Sequence, residues 1–254
     1  MKETFKQFKE RVVHPQDDLF AILFLNFITV RLAYMIIKYK IGITANAVTY
    51  TRMFLLGPAI ILILIVAPMS KILYGIALVL SYVFLLSDWL DGQIARGSKK
   101  TSKKGAILDS VADRFSTIIM LVLLFSMGAY LQNVVLLLSS IALFSLKCFH
   151  MMMITKLYYY GIGNKKNSEK IFGADTTGKM GISALFKKAS SLIKIKRWGG
   201  TLGGSDRFFI TVMIPLILVL LGFYSIAAWL LSAFSLFLIV FFVIRIKNLF
   251  KMIK

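Results

Sequence analysis

The chain alternates long apolar runs with short polar connections, and the runs are continuous, without the period-two alternation of strands. Crossing a bilayer core of ~30 Å takes about 20 helical residues. Runs of that length lie near 47–67, 71–94, 106–128, 132–160, 206–223 and 225–246. They predict an all-α integral membrane protein with six transmembrane helices. A further apolar stretch at 19–37 carries Asn26 and Arg31 and ends at Lys38 and Lys40, ahead of a glycine-containing turn. That mixture predicts an interfacial amphipathic helix preceding the spans, in preference to one more span. The chain then divides into an N-terminal arm and interfacial helix at 1–42 and a six-helix membrane domain at 43–254.

Composition strengthens this reading. Hydrophobic residues make up 58% of the 254, far more than a soluble domain of this size can bury, and the mean hydropathy is +0.79. The excess must face lipid, which excludes a soluble enzyme and a disordered polymer. The net charge of +20 would suggest nucleic acid if the cations shared one soluble face. They lie instead in the N-terminal arm, at 96–104, at 162–207 and after Phe242, while the opposite connections contain only Lys71. The positive-inside rule therefore directs both termini and the basic loops to the cytoplasm, with no nucleic-acid partner. Cys148 has no internal disulfide partner, and Met1–Asp18 has no short apolar core, so no cleavable signal is expected. The 162–205 segment, rich in glycine, reads as a basic cytoplasmic loop. Within it Ala184–Ile195 reads as a basic amphipathic helix on an anionic leaflet, or as a solvated loop with local helix.

The acidic residues carry the candidate chemistry. Glu3, Glu10, Asp17, Asp18, Glu169, Asp175 and Asp206 flank the spans, whereas Asp88, Asp91, Asp109 and Asp113 sit at the facing ends of the second and third. Carboxylates at such depth are functional candidates by default. Asp88 and Asp91 are three apart, Asp109 and Asp113 four apart, so each pair shares a helical face, and the short connection lets the faces meet. Four carboxylates drawn together repel, and divalent cations resolve that repulsion. Oxygen ligands without a nearby Cys or His suit Mg²⁺, Mn²⁺ or Ca²⁺ rather than zinc. Gly92 and Ala95 leave room for a bulky ligand, Arg96 offers a fork for phosphate oxygens, and Gly105 permits a close approach of the next helix. The competing reading is a buried ion-pair cluster with Arg96 and Arg114 as partners. A cation-coupled transporter or channel would also use such a cluster, but would not need Gly92, Ala95, Arg96 and Gly105 at these offsets.

The stretch DWLDGQIARGSKKTSKKGAILDSVAD, Asp88 to Asp113, resembles the signature of the CDP-alcohol phosphotransferases, D-x2-D-G-x2-A-R-x8-G-x3-D-x3-D, at every fixed position. ITANAVTYTR, Ile43 to Arg52, resembles the family's entry to its first span, with Ala45 where proline is common. The resemblance implies a six-helix fold with a cytoplasm-facing cavity, usually in a homodimer. It implies transfer of a phosphatidyl or phosphoalcohol group from a CDP-linked donor, expected to be CDP-diacylglycerol, to an alcohol acceptor with release of CMP. Under it Asp88, Asp91, Asp109 and Asp113 bind two divalent cations, Mg²⁺ or Mn²⁺. Gly92, Ala95 and Arg96 lie against the nucleotide and its diphosphate, and Asp113 is the general base. A phospholipid-synthesising enzyme of a bacterial or archaeal cytoplasmic membrane is expected.

The acceptor is not written in the signature. Lys156 and Arg207 lie at the cytoplasmic ends of the fourth and fifth spans, either as snorkelling anchors or as a phosphate-binding pair. Members using inositol phosphate resemble this chain there, with an arginine opening the fifth span. Lys156 replaces an arginine, and Ile154 stands where a further cation would be. Inositol phosphate is therefore favoured as acceptor, with glycerol 3-phosphate and other polyols open. Lys147 and His150 either line the cavity or are satisfied interior residues.

Overall fold

A computed structural model describes residues 4–13, 20–67, 70–159 and 204–253. The 162–205 loop, apart from the start of the following helix, and the helix expected at 184–195 lie outside the described residues. Among those described there is no strand. Helix α1 spans Phe5–Val12, and α2 comprises the π-helical turn Ala21–Leu25 and Asn26–Lys38. Helix α3 spans Ala45–Val66, with a π-helical turn at Arg52–Leu56. Lys71–Gly97, Lys103–Tyr130 and Val134–Tyr159 are α4, α5 and α6. Gly204–Phe208, the π-helical turn Phe209–Met213 and Ile214–Leu220 run on as α7, and Tyr224–Ile253 is α8.

A helix therefore covers each of the six apolar runs, and α8 continues past the expected 246. Ala45–Val66 and Lys71–Gly97 are each long and apolar enough to cross a membrane; Val134–Phe149 and Tyr224–Val240 are shorter apolar stretches. Only 33% of an apolar 18-residue stretch within each long span is buried inside the protein. Phe54, Leu62, Ile65 and Val79 point outward from them, as lipid-facing side chains would.

Local sequence explains where the helices begin. Thr44, Ser70 and Ser102 each cap a helix by accepting a backbone N–H, from Ala47, Ile72 and Gly105 respectively. Two of the π-helical turns precede a proline at the same offset, Pro58 in α3 and Pro215 in α7. Proline cannot donate to the carbonyl one turn back and its ring crowds that turn, so a widened turn just before it relieves both constraints.

Helix α4 is central and packs against α1, α2, α3 and α7, while α5 packs on α3 and α6, and α8 closes on α6 and α7. The main core contains Ile60, Leu64, Phe84, Leu123, Leu124 and Leu216, all buried. The Ser126 hydroxyl donates to the Leu64 carbonyl at 2.6 Å, tying α5 to α3. Where α2 begins, the Phe20 N–H donates to Asp206 at 2.7 Å and the Phe20 ring stacks on Phe209 at 4.2 Å, joining it to α7. Helix α2 buries Thr29, Val30, Ala33 and Ile36 while Leu23, Phe24, Phe27 and Met35 remain exposed. A second small core, with Phe8, Val12, Val30, Ala33, Ile36 and Ile94, joins α1 and α2 to the end of α4.

Helix α1 is an additional element within the N-terminal arm expected at 1–42. Its signal lies in the sequence: Thr4 and Gln7 form a reciprocal capping box, and Phe5, Phe8 and Val12 recur at helical spacing.

Candidate active site

The last turns of α4 and the first turns of α5 run side by side, joined by residues 98–102. This hairpin brings Asp88, Asp109 and Asp113 together, with one carboxylate oxygen from each lying within 4.8 Å of the others. Helix α3 adds a cation. The Arg52 side chain is fully buried and its guanidinium enters the cluster. Nη1 is ion-paired with Asp88, while Nη2 donates to Asp109 at 2.7 Å and to Asp113 at 3.3 Å. Its Nε is buried with no hydrogen-bond partner among the described residues.

Asp91 is held differently. It is buried and accepts a hydrogen bond from the Thr49 hydroxyl at 2.8 Å, one turn before Arg52 on α3. One helix thus supplies partners to carboxylates on two others. Thr49 and Arg52, from the Ile43–Arg52 segment, are site residues beyond those expected from the sequence. The signal was a charged residue inside an apolar run, which must find a partner elsewhere in the fold. The carboxylates are ion-paired, but the cation is Arg52, which the reading with Arg96 and Arg114 did not include.

Three carboxylates against one guanidinium leave an excess of negative charge. The oxygen donors fit a hard divalent cation, and a cationic group already occupies their midst. Asp88, Asp109 and Asp113 each offer one oxygen to that common point, the kind of donor Mg²⁺ or Mn²⁺ takes.

Arg96 lies on the next turn of α4. Its Nε donates to the Val12 carbonyl at 2.7 Å, and its guanidinium folds back over Gly92. A Cβ at position 92 would stand 3.1 Å from Arg96 Nη1, so the room left by Gly92 is taken by Arg96 itself. Ala95 is half-buried on the same stretch of helix.

Arg207, on the first turn of α7, is exposed, and with Arg52 and Arg114 it acts electrostatically on Asp113. Lys156 lies near the end of α6 and His150 further back, but both side chains lie outside the described part. Lys147, also on α6, is half-buried.

No curated protein matches the chain significantly. The family comparison is specific: the CDP-alcohol phosphatidyltransferase model matches residues 42–241, from the entry of α3 into α8 and across the whole carboxylate hairpin. The chain belongs to the CDP-alcohol phosphatidyltransferase family, transferases of phosphate-containing groups that take a CDP-alcohol donor and use divalent metal.

Proposed function

We propose that this protein transfers a phosphatidyl group from CDP-diacylglycerol to an alcohol acceptor and releases CMP, from a six-span, homodimeric membrane enzyme whose site faces the cytoplasm. The convergence of Asp88, Asp109 and Asp113 at the ends of two apolar helices supports this reading most directly. Asp88, Asp91, Asp109 and Asp113 would hold two Mg²⁺ or Mn²⁺ ions. Such ions would neutralise charge on the diphosphate and so make CMP a better leaving group.

The chain's own residues do the rest. Arg96, with Gly92 and Ala95 beside it, binds and orients the donor's diphosphate. Asp113 takes the proton of the acceptor hydroxyl, whose oxygen forms a bond to the phosphatidyl phosphorus as the bond from that phosphorus to the CMP oxygen breaks. The exposure of Asp113 suits a group that must reach an incoming acceptor. Arg207, close enough to influence Asp113, and Lys156 would bind a phosphate on the acceptor, favouring inositol phosphate, with glycerol 3-phosphate next. A lipid donor explains why the site lies at the end of apolar helices: its chains stay in the bilayer while its nucleotide remains in water.

Purified protein should release CMP from CDP-diacylglycerol only with an acceptor and Mg²⁺ or Mn²⁺, and EDTA should abolish the release reversibly. Full turnover in excess chelator refutes the metal assignment. Screening phosphorylated against unphosphorylated alcohols identifies the acceptor.

A further inference from the structure

We propose that the N-terminal helix α1 is a structural part of the donor site, holding Arg96 in the orientation that meets the nucleotide diphosphate. This rests on the donor role given to Arg96 above.

The contacts are reciprocal. Arg96 donates from Nε to the Val12 carbonyl at the end of α1. In the other direction, Arg11 Nη1 donates to the carbonyls of Arg96 and Gly97 at 2.8 and 2.9 Å. Those carbonyls belong to the last turn of α4, where helix geometry leaves oxygens without intrahelical partners and a cation is favoured. Arg11 thereby caps the helix that carries Arg96.

Apolar packing keeps the two elements together. Phe8 and Val12 are buried, and the rings of Phe5 and Phe8 meet Tyr34 of α2 edge-on at 5.2 and 5.3 Å. The approach to α4 depends on Gly97. A Cβ there would stand 2.8 Å from Phe8 Cε2 and 2.5 Å from Ile37 Cδ1, so any side chain would push the ring or its neighbour away.

The geometry favours positioning over simple anchorage. The bond to Val12 uses Nε, so a forked contact with phosphate oxygens would be the end-on one through Nη1 and Nη2, not the side-on one through Nε. Fixing Nε sets the guanidinium plane above Gly92. A long side chain held in advance loses less conformational freedom when the donor binds. Helix α1 lies outside residues 42–241, so this support belongs to the chain's own N-terminal extension to the matched region.

A mutant cycle on the full chain in detergent with Mg²⁺ tests the proposal, with CDP as the binding probe and CDP-diacylglycerol as the kinetic one. Arg11→Ala and Gly97→Ala should each weaken CDP binding about five- to twentyfold and raise donor KM by a similar factor, with kcat nearly unchanged. Arg11→Lys should recover most of the loss, because an ammonium still reaches the carbonyls. Arg96→Ala should weaken CDP more than either, and Arg11→Ala on the Arg96→Ala background should cost nothing further. If Arg96→Ala weakens CDP while Arg11→Ala and Gly97→Ala bind it like wild type and lose only thermal stability, α1 is an anchor and the proposal fails. Additive losses in the double variant also overturn it, since α1 would then act by another route. Wild-type CDP affinity in Arg96→Ala removes the donor role of Arg96, and the proposal falls with it.

Discussion

Helices α3 and α7 are built alike at their entrances but use their arginines differently. Each carries an arginine, a π-helical turn and a proline two residues after that turn, Pro58 or Pro215. In α3 the arginine begins the widened turn; in α7 it precedes that turn. Counting along the helices, Arg52 lies about 10 Å from the start of α3 and Arg207 about 5 Å from the start of α7. Arg52 is buried among three carboxylates, whereas Arg207 is exposed in its first turn. A buried guanidinium requires partners because desolvation is costly; an exposed one keeps much of its hydration. The comparison separates an arginine buried among carboxylates from an exposed one at a helix entrance, whose proposed role is to bind the acceptor.

Breaking the buried side should have the largest effect. Arg52→Met removes the cation and leaves three partly solvated carboxylates facing one another, so the cost stays below the about 3–5 kcal/mol of a fully buried pair. Thermal unfolding in EDTA should shift down by several degrees, and Mg²⁺ should stabilise the variant more than wild type. Equal melting in EDTA would show that Arg52 does not hold the cluster.

Asp113→Asn tests the exposed carboxylate that both arginines influence. Loss of a general base lowers turnover by about 10²–10⁴-fold. Single-turnover CMP release should show that loss while CDP still binds. Near-wild-type turnover would reassign the base.

On the exposed side, Arg207→Ala should raise KM for a phosphorylated acceptor by about one to two decades, the size expected from charge-assisted bonds to a phosphate. Donor KM and melting temperature should change little. Arg207→Lys should recover only part, because the charge remains but the fork is lost. An anchoring arginine would show the reverse, with lower stability and an unchanged acceptor KM.

The smallest effect is expected at Thr49. Thr49→Val removes the hydroxyl that bonds Asp91, and loss of a partner that orients a metal ligand weakens metal affinity by about tenfold or more. Mn²⁺ titration followed by electron paramagnetic resonance measures it directly, and Thr49→Ser should restore it. Unchanged affinity in the valine variant would remove Asp91 from the metal set.

The residue pattern alone determined the helices over the apolar runs, which make up most of the described fold, and the shared faces of Asp88 with Asp91 and of Asp109 with Asp113. Those are local properties: a residue's face follows from the helical period, and capping serines and threonines act within a turn. It also contained the cue for α1 in Thr4, Gln7 and the Phe5, Phe8, Val12 spacing, although the polar surroundings masked it. Tertiary structure decided which faces meet. It set Arg52 among three carboxylates, gave Asp91 to Thr49, filled the space at Gly92 with the Arg96 guanidinium, and joined Arg11 to the end of α4. These pairs are 42, 57 and 85 residues apart for Thr49 with Asp91, Arg52 with Asp109, and Arg11 with Arg96. No local period reaches so far; such contacts exist only because packing around α4 brings separate helix ends into one place, where buried charge and buried carbonyls must find partners.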